Sequence, residues 1–241
     1  MKRLLTRQVW CVAILLIAAS VQLCGQKQKP SVGDNSDWWS ITRVIDEGRR
    51  IKTQHRELDL SNHRILGVDL HEEALDRLQK KLGIVKTVGR GDAAVSREQA
   101  CFRSAEGVPA TYLIAEEGEV NSAFYLFSAA RHWHGEEFCK PVPGVTNATS
   151  TESGVHLGMT PEELIGILGP PSSQSQNRLI YFLEKRKRSA RSDAARCRAQ
   201  YSKNEEGLVE ECDFYDLSVR IEACFADSKL TYFAATVAET T

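Results

Sequence analysis

The chain has 241 residues, 42% of them apolar, and a formal net charge of −1. That length holds one large domain or two small ones around an ordinary core. The near balance of charge excludes a chain built mainly to bind nucleic acid.

Residues 1–25 read as a targeting segment. The basic MKRLLTR precedes the apolar run VWCVAILLIAASVQL, and LCGQKQK follows with small and polar residues. The run is shorter than the roughly 20 residues a membrane span needs, and the order is that of a secretory signal peptide cleaved after Gly25. Two alternatives stay open: a lipoprotein acylated at Cys24, although Leu23 stands where a small residue is wanted, and an uncleaved anchor helix. Export to the periplasm or medium would place the chain where disulfides persist.

Residues 26–57 are expected as a polar leader and a short helix. Asp37 is placed to cap that helix, and Ile41, Val44 and Ile45 fall at helical spacing. Trp38 and Trp39 would pack this arm onto the body or present an aromatic pair to a partner. Residues 65–83 predict a second helix, with Asp69 as cap, Glu72 completing a capping box and Gly83 ending it. Leu75, Leu78 and Leu82 lie on one stripe of it. Strands are expected at 93–104, 110–118 and 119–130, set apart by the turn residues Gly107, Pro109 and Gly118. Residues 141–153 are rich in Pro, Gly, Ser and Thr and read as a linker.

The order then begins again. LGMTPEELIGILG (157–169) is a capped helix, RLIYFLEK (178–185) a strand, and DLSVRIEACF with KLTYFAATVA a closing hairpin. Residues 111–127 align with 218–234 without a gap, Ile114 over Ile221 and Tyr125 over Tyr232. The expected fold is α+β: two tandem αβββ repeats, 58–140 and 154–241, each a short helix on a small antiparallel sheet. The second carries an insertion at about 185–212.

Leu157-Gly158-Met159-Thr160-Pro161-Glu162-Glu163-Leu164, followed by Leu168-Gly169 and Pro171, resembles the signature of the SmpA/OmlA family. That family holds a small lipoprotein of the outer-membrane assembly machinery. Its fold is similar to one repeat of the β-lactamase inhibitory protein, itself a tandem duplication. The resemblance implies an exported, non-catalytic binding protein.

In the motif itself Thr160 is an N-cap, Pro161 suits the first helical position, and Glu163 can return the capping bond. Gly169 and the two prolines after it end the helix. Acidic residues in the first turn would repel a phosphate, so the motif reads as structure. The densest set of potential ligands is RHWHGEEFC, where extended backbone puts His132 and His134 on one face; the alternative is a polar strand end. No nucleophile–base pair and no cofactor motif is read, so catalytic residues and cofactors are expected to be absent. Lys185, Arg186, Lys187, Arg188 and Arg191 form a basic stretch, either a contact for an anionic membrane surface or a solvated insertion loop.

Of seven cysteines, Cys11 and Cys24 fall in the targeting segment. Cys212 and Cys224 bracket one strand, about 40 Å apart, and a disulfide needs Cα atoms within about 7 Å. The expected pairs are therefore Cys197–Cys212, stapling the insertion, and Cys101–Cys139. Cys224, out of phase with its apolar neighbours, is expected on a solvent face as the odd free thiol. The functional expectation is an exported, non-enzymatic binding or scaffold protein whose partner is another envelope protein. The alternatives are a lipid-anchored outer-membrane assembly factor, and a metal-binding protein or metal-dependent enzyme using His132 and His134.

Overall fold

The computed structural model describes residues 47–51, 60–70, 73–90, 97–105, 109–118, 121–128, 139–200 and 212–240. The expected targeting segment, the Trp38–Trp39 pair and His132 with His134 lie outside them.

The fold is α+β, with short helices and a mostly antiparallel sheet. After a 3-10 turn at Leu60–His63, β1 (Arg64–Ile65) and β2 (Val68–Asp69) form a small hairpin. Helix α1 (Ala74–Leu82) follows, then β3 (Val88–Arg90), β4 (Arg97–Ser104), β5 (Thr111–Gly118), β6 (Asn121–Ser128) and β7 (Lys140–Val142). The rest of the chain is α2 (Pro161–Leu168), β8 (Ser173–Ser175), β9 (Arg178–Arg188), α3 (Arg191–Gln200), β10 (Phe214–Ala226) and β11 (Lys229–Thr240). One sheet runs β3-β4-β5-β6-β11-β10-β9-β8, and β7 pairs in parallel with β4. The two halves meet where β6 and β11 pair antiparallel, from Asn121–Ala238 to Phe127–Tyr232.

Helix α2 forms as its residue types demand. The Thr160 hydroxyl accepts from the Glu163 amide, and the Glu163 carboxylate accepts from the Thr160 amide at 2.7 Å. Gly169 ends the helix at φ 77°, a left-handed conformation that a side chain would strain. The turn before it docks onto β11: the Gly158 amide donates to Leu230 O, and the Leu230 amide to Met159 O. Thr160→Ala is expected to lower stability by about 1 kcal/mol, read as a shifted urea midpoint at unchanged slope.

Helix α1 begins later than expected. Asp69 does not cap it but sits in β2 and pairs with Arg64 at 3.3 Å. The helix starts at Ala74 behind a left-handed Glu73 with no side-chain cap. The reason is local: Leu66 and Gly67, at φ 52° and 74°, fold residues 64–69 into a tight hairpin that uses up the residues before the helix. Leu75 and Leu78 are buried as the stripe requires, and Gly83 ends the helix at φ 101°.

Both helices cover the same face of the sheet. Leu75, Leu78, Leu164 and Leu168 share one apolar core with Phe102, Leu113, Phe124, Tyr181, Ile221 and Phe233. Along the main path of the sheet each half has four strands instead of the expected three, because β3 and β8 add short edges, and β7 joins beside β4 as a ninth. The expected linker is structured: β7 opens it, Thr151 bridges to Ile65, and Arg64 holds Glu152 at 2.7 Å. The gap-free alignment of the halves also fails. Ile114 lies on the face away from the helices, whereas Ile221 lies on the helix face. Pairing shifts between Cys224 and Phe225, and an odd step of register exchanges the faces. Tyr125 and Tyr232 do share a face.

Candidate functional site

Strand alternation gives the sheet a second face, opposite the helices. Over β4, β5, β6 and β11 it is apolar and aromatic: Tyr112, Ile114, Tyr125, Phe127 and Tyr232 are buried there, and Tyr112 stacks on Phe127 at 5.2 Å. Over β9 and β10 it changes character. Phe182 remains buried, but Arg178, Glu184, Ser218, Arg220 and Glu222 come to the same side.

Three of these groups and the arm make a charge cluster. Arg178 Nε donates to Glu222 at 2.6 Å, and Arg220 Nη1 pairs with the other oxygen of Glu222 at 2.9 Å. Glu47, from far earlier in the chain, approaches Arg220 Nη2 at 3.5 Å and Arg178 Nη2 at 3.9 Å. Beside it, Arg49 Nε donates to Glu184 at 2.7 Å, and Ser218 Oγ donates to the same oxygen at 3.0 Å. Arg220 is 2% exposed and the Glu222 side chain 16%, against 34% for Arg178 and 40% for Glu47. The two ion pairs of Glu222 are therefore largely shielded from water, while those of Glu47 are screened and individually weak.

Residues 47–51 are seated by shape as well as charge. A Cβ on Gly48 would lie 2.2 Å from the buried ring of Phe182, so only glycine brings the backbone this close. Ile51 packs against the same apolar cluster.

Protonation follows from this geometry. Burial alone would raise Glu222, but Arg220 and Arg178 outweigh it and hold the carboxyl below its ordinary 4.5. For Arg178 burial pulls downward, and Glu222 and Glu47 more than restore it. Burial pushes the Tyr181 phenol well above its ordinary value. A carboxyl depressed on folding stabilises above its unfolded pKa and loses that contribution as pH falls through the folded one. Stability is therefore expected to fall as pH drops below about 4.5, and Glu222→Gln should flatten that slope. Urea unfolding at a series of acidic pH values measures it.

Two disulfides join pairs of described residues, in the pairings expected. Cys101–Cys139 has Cα atoms 4.5 Å apart and lies on the second face. Cys197–Cys212, with Cα atoms 5.6 Å apart, ties α3 to the residues before β10. Each contributes about 2–4 kcal/mol. Cys224 is a correction. It lies on the second face as its phase requires, but that face is not solvent: Cys224 is 3% exposed and disulfide-bonded, not a free thiol.

The basic stretch is also corrected. Lys185, Arg186, Lys187 and Arg188 are not in an insertion but are the end of β9, paired with Leu217, Asp216, Tyr215 and Phe214. Arg186 lies over the Phe214 ring at 5.0 Å. Arg191 opens α3, a helix where a loop was expected, and Arg198 on that helix pairs with Asp213. Among the described residues no group of three or more His, Cys, Asp or Glu is placed to hold a metal.

Sequence reasoning missed the cluster residues Arg178, Arg220 and Glu222. The signal available was the alternation in SVRIEACF, which puts an opposite-charge pair two residues apart on one face. No family model matches the chain, and neither a curated protein nor a solved structure does so.

Proposed function

We propose that this chain is an exported, non-enzymatic binding or scaffold protein of the bacterial cell envelope that acts through protein–protein contacts. In this reading it consists of two tandem αβββ units of the SmpA/OmlA and β-lactamase inhibitory protein type, each with an added short edge strand. The observation that carries it is the strand order: β6 of one half pairs with β11 of the other, making one broad sheet with α1 and α2 on a single face. Such a sheet joins the two halves into one continuous scaffold, its second face buried rather than open to solvent. The capped LGMTPEEL helix supports the family likeness, and the two disulfides support an oxidising compartment.

Cross-linking the chain in envelope extract, with identification of what is captured, tests the reading. A reproducible protein partner is expected; a chain that captures none and hydrolyses a small substrate overturns it. Mass spectrometry of the mature N-terminus separates cleavage after Gly25 from acylation at Cys24.

A second reading, contact with an anionic membrane surface, is favoured by one observation. Arg186, Lys187 and Arg188 are exposed at one end of β9 beside the exposed ring of Phe214. Co-sedimentation with phosphatidylglycerol vesicles but not with phosphatidylcholine vesicles is its expected result.

A further inference from the structure

The four members of the charge cluster are not equivalent. Arg178, Arg220 and Glu222 belong to two neighbouring strands in fixed register, Arg178 facing Cys224 and Arg220 facing Phe182. Their mutual distances of 2.6 and 2.9 Å are those of well-formed charged hydrogen bonds. Glu47 comes from outside the sheet, is half-exposed, and stands off at 3.5 and 3.9 Å. Without it Glu222 is the one carboxylate in direct ion-pair contact with Arg178 and Arg220 among the described residues.

One edge of Arg220 is also incompletely used. Its Nε is buried with no hydrogen-bond acceptor, although Nε and Nη2 share the edge that grips a carboxylate with two parallel bonds. Glu47 reaches only Nη2 on that edge, and loosely.

We propose that Arg220 and Arg178 form a carboxylate-recognition site for an acidic segment of a partner protein, which residues 47–51 of this chain occupy as an internal stand-in. The inference rests on the protein-binding reading given above. Charge names the ligand: two guanidiniums, one with an open fork, select a carboxylate. Shape names the route, because Gly48 lets bare backbone lie on Phe182, and a partner segment making the same helical turn would lie there in the same way. The arm must leave before the partner enters, so the site is closed until something better bonded displaces Glu47.

The test uses the full chain and a fluorescent peptide with the sequence of residues 44–51, VIDEGRRI. Gly48→Val and Glu47→Gln weaken the arm without touching the arginines. Each should bind the peptide about tenfold more tightly than the parent, because a larger fraction of molecules has the site open. Adding Arg178→Gln to either should abolish the gain, and a peptide with glutamine for its glutamate should bind neither variant.

Hydrogen exchange guards against simple unfolding. The Arg50 and Ile51 amides, which donate to Glu47 O and Gly48 O, should exchange about tenfold faster in Gly48→Val while β10 amides stay protected. Equal peptide binding by parent and variants overturns the proposal, and so does exchange that quickens in β10 together with the arm. If the peptide behaves as expected but no envelope partner is found, the protein-binding reading fails and the site stands. If a captured partner is held equally by the parent, Gly48→Val and Arg178→Gln, the reading stands and the site falls.

Discussion

Phe233→Ala is expected to lower the free energy of unfolding by about 3–5 kcal/mol. Phe233 is fully buried on β11, pairs with Leu126 across the junction of the halves, and lies 5.9 Å ring to ring from Phe124. Truncation removes the apolar area and leaves a cavity that two backbones in register cannot close. The position also decides what kind of loss is seen. Both halves feed one apolar core through this junction, so far- and near-ultraviolet circular dichroism should report a single urea transition at a lower midpoint. Two transitions, only one of them shifted, would mean that the halves fold independently and that the shared core is wrongly described.

Arg220→Met is expected to cost about 3 kcal/mol, the lower end for breaking a buried ion pair. The loss arises less from the missing attraction than from Glu222, left desolvated with Arg178 alone. The double variant Arg220→Met with Glu222→Leu should therefore recover much of the stability, and a double-mutant cycle in urea measures the coupling. Arg49→Ala supplies the contrast. That pair is 41% exposed on the arginine side, and its removal should cost less than about 1 kcal/mol. If the Arg220 and Arg49 variants cost the same, the difference in burial does not govern the cluster.

What could be read from the sequence was whatever is decided locally. Helix α2 is legible because Thr160, Pro161, Glu163 and Gly169 each act within a turn of themselves. The hairpin β10–β11 is legible for the same reason: Asp227 and Ser228, at φ 49° and 58°, make the two-residue loop that suits twisted strands. The pairs Cys101–Cys139 and Cys197–Cys212 followed from strand length and spacing, and the bonding of Cys224 did not.

What was missed depends on distant partners. Strands β3, β7 and β8 are three residues each, too short for periodicity to mark, and β7 exists by pairing with β4, beside the bridge of Cys101 to Cys139. Asp69 has the residue type of a cap but is taken by Arg64 in a hairpin. The site was hardest to see. Arg220 and Glu222 look like an exterior pair until Glu47–Ile51 is laid over them, and nothing within a strand announces that its outer face will be covered.

Strand β9 carries a consequence for self-assembly. It runs for eleven residues, but β8 covers its outer side only from Arg178 to Ile180, with Ser172 adding bonds at Phe182. Beyond that point no strand pairs with this side among the described residues. A bare strand edge is a template on which another copy can add and polymerise. Here the bare length, Leu183 to Arg188, ends in Lys185-Arg186-Lys187-Arg188, so two copies meeting edge to edge at that end would bring like charges together. Whatever else these four residues touch, they keep a wide sheet from growing wider, and concentrated salt would loosen that restraint by screening them.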